Sequence, residues 1–569
     1  MLRRSLALFA SVSFLFLAAF VSPSFSSVFV PDCPVADYSD ILHHKDAYML
    51  TVLHGYDISR IPVKILSVIP QTPSANFRDL ILIQLIGAKL AQGMSGSPVY
   101  VDGKLLGAVR SGWTHTDHTL ALVMPITAMS RLSEYDAHGL RMSDVFLTGL
   151  TNTSKAIDEL SRKLGVRIMP GISVMRNSEV TSQRLRPGSS ISVLLVWGDA
   201  QLSASGTVTA VDRYGRFLAF GHEFLKRGTV QYPSASAYVH KIIDSAEFPM
   251  KLTSAGAVNG TVTQDRETGI SGKFGYYGSS IGCEFVMRDL DLETEHTYKF
   301  RTITDENLTA DLIEGIVKGL AEDAWGRKGQ GTMSIKLRID GEKVPQGWTR
   351  KDIFYSDTNI TEEAFKQTKQ ILSAYLSQPF SEIMPTGFHI TAQVTQTPKV
   401  LLIEDVEAPT DAKPGESLDV TVKLRGYRKK PVTRKFTLKV PEDASGVMEL
   451  IVRGGGTQSF QQAGISGGWK SITGLKNMLT EFQAADGNNQ LIIELNADRS
   501  GELIKRITQS RKKGAKPPKS KREPDLLPEE EEYLSETKAR RIREGTLKIL
   551  TSEYYIDGLM RRVIHTERE

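Results

Sequence analysis

The chain has 569 residues, of which 40% are hydrophobic and 24% are charged. This length is several times that of one domain, so the sequence predicts two to four domains with sizeable hydrophobic cores. The formal net charge is only +5, and Lys and Arg are interspersed with Asp and Glu over most of the length. The composition is therefore that of a globular protein, and it argues against nucleic acid as the main partner.

Residues 1–26 predict a secretory signal peptide. Arg3 and Arg4 precede the apolar segment LALFASVSFLFLAAFV, and small serine residues follow at the offset for cleavage before Ser27. The alternative is an uncleaved N-terminal anchor, because the apolar segment falls just short of a membrane-spanning helix. No later segment is long and apolar enough to span a bilayer, so we expect an exported protein of the periplasm or cell envelope.

Two cysteines are present, Cys33 and Cys283. An exported protein could join them in a single disulfide, and two unpaired thiols are the equal alternative. Two cysteines so far apart in the sequence do not suggest a zinc site. We expect neither a metal nor a cofactor.

Residues 28–135 predict an all-β block, a small barrel. Short runs rich in Val, Ile and Leu are separated by turn-forming residues, as in YMLTVLHG, IPVKILSVI and DLILIQLIG. Asp102-Gly103 stands between PVYV and KLLGAV, and an Asp-Gly pair in that setting predicts a hairpin. LALVMPI adds a strand, and ITAMSRLSEY predicts a short helix.

A second β block is predicted for residues 136–295. It opens with a helical connector, SKAIDELSRKLG, and continues through short strands with glycine-rich turns, among them ISVLLVWGD and GTVTAVDRYGRFLAFGHEF. Residues 296–384 mix helical patterns with strands. The predicted fold class is thus mainly β with some α.

The last third of the chain divides into two predicted parts. Residues 385–500 alternate apolar with polar residues over long runs, which predicts a β-sandwich. Residues 505–569 are predicted to be a charged flexible tail, since RKKGAKPPKSKREP is basic and the following segment is acidic. The final stretch, ETKARRIREGTLKILTSEYYIDGLMRRVI, predicts a helix of mixed charge.

The stretch GMSGSP presents Ser95 as a candidate nucleophile. A serine nucleophile needs a tight turn and backbone N–H groups directed at the oxygen that becomes negative. Gly93 and Gly96 permit backbone angles that other residues resist, and Gly96 leaves the approach to Ser95 open. The N–H groups of Gly93 and Ser95 could then form an oxyanion hole. The alternative is a structural turn, since many hairpin loops are rich in Gly and Ser.

FLAFGHEF supplies the candidate general base. His222 follows a strand-like apolar run and a glycine, which predicts an imidazole at the exposed end of a strand. Imidazole is the usual acceptor for a serine proton at neutral pH. The rival histidines are each more typical of surfaces and turns: His43, His44, His54, His115 and His118.

GMSGSPVYVDGKLLGAV and GTVTAVDRYGRFLAFGH together resemble the two motifs of the SpoIVB-type serine peptidase family. The resemblance covers about residues 28–290. It implies a trypsin-like double β-barrel, with Ser95 as nucleophile and His222 as base. In the family's founding pattern the histidine stretch comes first, so the order here resembles a circular permutation. Chain order does not forbid catalysis, because one triad geometry occurs with its members in several orders.

The third member of a triad is open. A buried carboxylate should accept the second imidazole N–H and hold the tautomer. Asp79, just before a strand that leads into GMSGSP, and Asp265, in the same block as His222, are equal candidates, and both are equally consistent with structural carboxylates. Met94 stands where trypsin-like digestive enzymes have an aspartate that captures a new N-terminus, so we do not expect that activation switch.

The sequence therefore predicts an exported bacterial serine endopeptidase that performs limited proteolysis on an envelope or secreted protein. The competing class is a catalytically inactive envelope scaffold or peptide-binding protein that keeps the peptidase fold. The uncertain acid and the reordered blocks motivate that alternative.

Overall fold

The structure, a computed structural model, is mainly β, as the sequence predicts. It describes residues 29–37, 41, 46–71, 79–132, 144–150, 155–170, 183–245, 247–457, 472–497, 537–541, 546–550 and 553–566. The predicted signal peptide and the basic run after Arg511 lie outside the described residues. Within those ranges, no helix is long and apolar enough to cross a membrane.

Barrel 1 is a closed ring of six antiparallel strands in the order β1-β2-β3-β6-β5-β4. Its strands are β1 (Ala47–His54), β2 (Asp57–Pro70), β3 (Asp79–Leu85), β4 (Pro98–Val101), β5 (Lys104–Ser111) and β6 (Leu120–Pro125), followed by the short helix α1 (Ile126–Met129). Asp102 and Gly103 both have positive φ, +46° and +79°, in the β4–β5 turn. The predicted Asp-Gly hairpin is thereby confirmed.

Three elements connect barrel 1 to barrel 2: β7 (Asp144–Thr148), α2 (Lys155–Leu164) and β8 (Arg167–Pro170). The predicted helical connector is α2, and Gly165 follows it with φ +64°. Barrel 2 consists of β9 (Ser190–Gly198), β10 (Gln201–Val211), β11 (Arg216–Ala219), β12 (Gly228–Ile243), β13 (Met250–Arg266) and β14 (Gly269–Phe274). These strands follow the order β9-β12-β13-β14-β11-β10, and a β9–β10 pairing closes the ring. The predicted double β-barrel is confirmed.

The two barrels pack against each other through a shared apolar cluster. Ala108 and Met124 of barrel 1 meet Ala210 and Leu218 of barrel 2 in this cluster, and all four are almost fully buried. Barrel 1 keeps its own core around Met49. The contact between the barrels is therefore apolar and buried, which suits a site assembled from both.

A mixed region extends the sheet of barrel 2 through β9 in the order β18-β17-β19-β15-β16-β9. Its elements are β15 (Ser280–Asp289), β16 (Thr294–Ile303), α3 (Thr309–Trp325), β17 (Gly331–Gly341), β18 (Thr349–Ser356), α4 (Ile360–Ala364), α5 (Lys366–Leu376) and β19 (Pro385–Thr395). The buried faces of the helices share one core with barrel 2. The sequence assigns residues from 385 to the sandwich, but β19 pairs with β15 and β17 in this sheet.

The predicted β-sandwich begins at β20 and consists of two sheets around one core. The sheets have the orders β22-β21-β20-β27 and β25-β26-β24-β23-β28. The elements are β20 (Val400–Glu407), β21 (Ser417–Gly426), β22 (Pro431–Lys439), β23 (Gly446–Gly454), α6 (Leu475–Ala484), β24 (Gln490–Ala497), β25 (Thr537–Arg541), β26 (Thr546–Leu550), β27 (Tyr555–Asp557) and β28 (Leu559–Thr566). Helix α6 packs outside the sandwich, against the core of the mixed region.

The prediction of a C-terminal helix is wrong. The segment instead forms strands, and β28 pairs with β23 over Gly446–Arg453 while β26 pairs with β24. Strand pairing satisfies the backbone N–H and C=O groups along the edges of β23 and β24, and this long-range gain outweighs local helical preference. Strands β25 to β28 are thus part of the sandwich, although the sequence predicts a flexible tail there.

The cysteines do not form the disulfide that the sequence allows. Cys33 and Cys283 are both free thiols. Cys33 packs at the cluster between the barrels, whereas Cys283 lies on β15 in the core of the mixed region. Burial raises the pKa of both thiols, so neither is a reactive thiolate.

Candidate active site

The serine loop, residues 90–97, joins β3 to β4 at one end of barrel 1. Gly93 and Gly96 have φ values of +85° and +86°, conformations that L side chains rarely adopt. Met94 is 1% exposed and belongs to the barrel 1 core. Ser95 is half-buried at the turn. The loop therefore holds its shape through two glycines and one buried anchor.

Hydrogen bonds orient the two peptide planes that carry the Gly93 and Ser95 amides. The Gln92 carbonyl accepts from the Lys251 N–H at 2.9 Å, and the Met94 carbonyl accepts from the Ser97 N–H at 3.0 Å. In a trans peptide the C=O and the following N–H point in opposite directions within one plane. Fixing these two carbonyls therefore fixes the directions of the Gly93 and Ser95 N–H groups.

These two amides differ from their neighbours in having no protein acceptor. The Met94 N–H donates to the Ala91 carbonyl at 3.0 Å, and the Gly96 N–H donates to the Val109 carbonyl at 2.7 Å. Within the part of the chain that the structure describes, no carbonyl or side chain accepts from the N–H of Gly93 or Ser95. Oriented donors without acceptors are one of the features that an oxyanion hole requires.

Barrel 2 holds the serine loop through the carbonyls on its other side. The Thr207 N–H donates to the Ser95 carbonyl at 2.8 Å. The Thr207 hydroxyl donates to the Gly93 carbonyl at 3.1 Å, and the Thr209 hydroxyl donates to the Gly96 carbonyl at 2.8 Å. Thr207 and Thr209 come from the GTVT stretch of β10. This stretch, which the sequence singles out only by resemblance, thus has a physical role as the support of the serine loop.

The histidine turn, residues 219–223, follows β11 in barrel 2. Its Gly221 N–H donates to the Ala219 carbonyl at 2.9 Å, which makes a three-residue γ-turn. Phe220 at its centre has φ +69° although it carries a large side chain. Such a conformation is strained and persists only where the surroundings impose it. The strained turn places His222 directly beyond the end of the strand, as the sequence predicts.

The His222 ring is held by a backbone carbonyl. Its Nδ1 lies 2.5 Å from the Glu223 carbonyl oxygen. A carbonyl only accepts hydrogen bonds, so Nδ1 carries the proton and the neutral ring keeps its lone pair on Nε2. The Phe220 and His222 ring centroids lie 5.8 Å apart. The turn therefore selects the tautomer in which Nε2 can accept a proton.

The serine loop and the histidine turn meet at Gly96. A Cβ on Gly96 would lie 2.1 Å from the Thr207 carbonyl oxygen and 2.4 Å from the Phe220 nitrogen. The two backbones are thus in direct contact, and only glycine fits between them. Ser95 is one residue from this contact and His222 is two residues from it, so the structure brings the two predicted residues to one junction of the barrels.

Arg110 is a site residue that sequence reasoning missed. It lies on β5, the second strand after the serine loop, and is 5% exposed. Its Nη1 donates to the Gly221 carbonyl at 3.3 Å and to the Glu267 carbonyl at 2.6 Å. Its Nη2 lies 3.7 Å from the Glu223 carboxylate, so Arg110 contacts the residues on both sides of His222. The only sequence signal is the charge that ends the apolar run LLGAV.

Asp265 supports the segment after His222 and does not contact the imidazole. It is fully buried, and its carboxylate accepts the N–H groups of Phe224 at 2.7 Å and Leu225 at 2.8 Å, with Arg227 at 3.3 Å. Burial raises the pKa of this carboxyl, while the backbone amides act in the opposite direction. These bonds use both oxygens, so the geometry favours the structural alternative for Asp265.

Asp79 is also separated from His222. It begins β3 opposite Pro70, and among the described residues no hydrogen bond or ion pair joins it to the imidazole. Neither predicted acid is thus placed on the ring, and the recorded partner of Nδ1 is the Glu223 carbonyl. Of the rival histidines, His43 and His44 lie outside the described residues. His118 is buried, edge-on to Phe248 at 5.0 Å, rather than on the surface.

The site has no feature of a metal centre within the ranges that the structure covers, where no group of three or more His, Cys, Asp or Glu residues could hold an ion. No protein-family model matches the chain, and neither curated proteins nor solved structures include a match.

Proposed function

We propose that the protein is an exported serine endopeptidase with Ser95 as nucleophile and His222 as general base. One observation carries the proposal. The N–H groups of Gly93 and Ser95 are oriented by fixed peptide planes and have no protein acceptor in the described part of the chain. A structural turn gains nothing from two such donors, whereas acyl transfer needs them to hold the developing negative charge.

The proposed roles imply the following reaction. The Ser95 oxygen attacks the carbonyl carbon of a peptide bond while its proton passes to Nε2 of His222. The carbonyl π electrons move to the oxygen, which the Gly93 and Ser95 amides bind. Collapse of this tetrahedral species breaks the C–N bond, and the imidazolium gives its proton to the leaving amine. Water then hydrolyses the acyl-serine ester by the same steps.

The orientation of His222 by a carbonyl bears on the expected rate. The Glu223 carbonyl fixes the tautomer, but it carries no full negative charge and stabilises an imidazolium less than a carboxylate does. We expect slow turnover, which suits limited proteolysis of an envelope or secreted protein better than bulk digestion. The resemblance of GMSGSP and the FGH stretch to SpoIVB-type peptidases supports the same substrate class.

The second candidate function is a catalytically inactive scaffold that binds peptides. The specific observation in its favour is that neither Asp79 nor Asp265 reaches His222. Under this alternative the paired barrels would present a binding surface, and the free amides would bind a carbonyl without cleavage.

A fluorophosphonate probe separates the two candidates, because it reacts only with an activated serine. We expect labelling of the wild-type protein, none of Ser95→Ala, and strongly reduced labelling of His222→Gln. Ser373→Ala, which changes a serine of α5 outside both barrels, is the matched control and should be labelled like the wild type. A folded wild-type protein that takes up no probe at any pH would rule out the peptidase and favour the scaffold.

A further inference from the structure

Lys251 lies directly behind the proposed oxyanion hole. It is the second residue of β13 and is 1% exposed. Its N–H donates to the Gln92 carbonyl, the bond that orients the Gly93 amide. Its aliphatic stem also packs on Gly93, since a Cβ there would lie 3.2 Å from Lys251 Cβ and Cδ. Lys251 therefore contacts the oxyanion-hole glycine through both its backbone and its side chain.

The ammonium end of Lys251 has one polar partner. Its Nζ donates to the Thr51 hydroxyl of β1 at 2.8 Å, in a fully buried position. No carboxylate pairs with it within the described ranges. Among the described residues Lys318 is also almost fully buried, but it has counter-charges. Its Nζ lies 3.0 Å from a carboxylate oxygen of Glu314 and 3.5 Å from one of Glu362. Lys251 is thus a buried cation without a resident counter-charge.

Burial has a direct consequence for protonation. It lowers the pKa of Lys251 from 10.5 to about 7, and no charged group contributes to the shift. The elements packed on Lys251 present Thr51 from β1, Gly93 from the serine loop and the apolar Ile242 from β12. An isolated cation in such a site is costly unless an anion comes near. The proposed reaction creates one at the Gly93 amide.

We propose that Lys251 is a positioning residue of the oxyanion hole: its backbone orients the Gly93 amide, and its buried ammonium stabilises the negative charge that forms on the substrate oxygen. This inference rests on the proposed function. Low dielectric around the side chain makes its charge more effective than a surface cation would be. No atom of Lys251 needs to touch the substrate.

The proposal gives the labelling rate a characteristic pH dependence. His222 must be neutral to accept the serine proton, so the rate falls at acidic pH, where an imidazole is protonated. Lys251 must be charged to stabilise the oxyanion, so the rate falls as Lys251 loses its proton near neutrality. The second-order rate constant for fluorophosphonate labelling should therefore follow a bell-shaped curve.

The test compares Lys251→Met, Thr51→Val and Thr51→Ser with the wild type over about pH 5 to 10. Lys251→Met keeps an unbranched stem of similar length, so it should fold. We expect its labelling to be about 10- to 100-fold slower near pH 6.5, with the alkaline fall lost. Thr51→Val removes the acceptor of the ammonium and should move the alkaline fall to lower pH. Thr51→Ser keeps the hydroxyl and should restore the wild-type curve.

Chemical denaturation gives a second readout that does not depend on activity. The folded pKa of Lys251 lies below its unfolded value, so between about pH 7 and 10.5 the unfolded chain binds a proton that the folded chain does not. The free energy of unfolding should therefore decrease steadily as the pH falls from about 10.5 to about 7. Lys251→Met should remove this slope, and an unchanged slope would refute the buried-amine assignment.

The outcomes keep the two proposals distinct. If the wild type is never labelled, the peptidase proposal fails whatever the denaturation curves show. If the wild type is labelled and Lys251→Met retains the alkaline fall, the role of Lys251 is overturned while the peptidase stands.

Discussion

The two barrels have the same number of strands and unequal roles in the candidate site. Barrel 1 presents Ser95 on a loop in which the amides of Met94, Gly96 and Ser97 all find acceptors within barrel 1. Barrel 2 supplies the donors to four backbone carbonyls of this loop, through Thr207 and other residues of β10 and β13. The loop of barrel 1 therefore gives the proposed oxyanion hole its shape, and barrel 2 fixes the orientation of that loop.

Barrel 1 in turn holds the histidine turn of barrel 2. Arg110 of barrel 1 binds the carbonyl before His222 and pairs with the carboxylate after it. Each barrel therefore orients the candidate residue of the other, Ser95 or His222. Because these contacts join facing surfaces rather than consecutive segments, the geometry does not depend on whether the serine or the histidine comes first in the chain.

The largest effect is expected from a variant that disrupts the contact between the barrels at Gly96. Gly96→Ala places a Cβ 2.1 Å from the Thr207 carbonyl oxygen, a backbone atom that cannot move aside alone. We expect a loss of more than about 3 kcal/mol in unfolding free energy and no fluorophosphonate labelling. The matched control is Gly103→Ala, at φ +79° with no atom within 4 Å, which should cost only about 1–2 kcal/mol and keep labelling. Equal effects from the two variants would contradict the role given to this contact.

An intermediate effect is expected at Asp265, where stability and labelling together distinguish a structural carboxylate from a catalytic acid. Asp265→Asn sets an amide NH₂ against backbone N–H donors, so we expect the unfolding free energy to fall by about 2–3 kcal/mol. Labelling of the folded protein should fall far less than the roughly 10⁴-fold expected for a triad acid. Asp79→Asn should change neither quantity appreciably. A 10⁴-fold loss with unchanged stability in either variant would identify that residue as the acid after all.

The smallest effect is expected at Thr207, which tests whether barrel 2 orients the serine loop. Thr207→Val keeps the shape and the backbone bond to the Ser95 carbonyl, but it removes the hydroxyl donor to the Gly93 carbonyl. We expect a loss of about 1–3 kcal/mol in stability and about tenfold slower labelling, because the amide donors lose alignment. Thr207→Ser should recover both. Labelling at the wild-type rate in Thr207→Val would show that the serine loop orients itself.

Much of the fold could be predicted because its signals are local. Alternating apolar strands, the Asp102-Gly103 turn and the helix ending before Gly165 are all readable within a few residues. The boundary at 385 was misplaced because β19 has the same alternation as a sandwich strand, and only its pairing with β15 and β17 reveals its sheet. The C-terminal strands were predicted as a helix for a similar reason, since their partners lie about 60 to 120 residues earlier.

The parts of the candidate site that depend on backbone freedom and side-chain chemistry are predictable from the sequence. Gly93, Gly96 and the FGH stretch could be identified because positive φ and an imidazole at a strand end have few substitutes. Only the tertiary structure decided which carbonyls and amides find partners. Lys251 and Arg110 belong to residue types that are usually exposed, so their burial behind the serine loop and the histidine turn could come only from the packing of one barrel on the other.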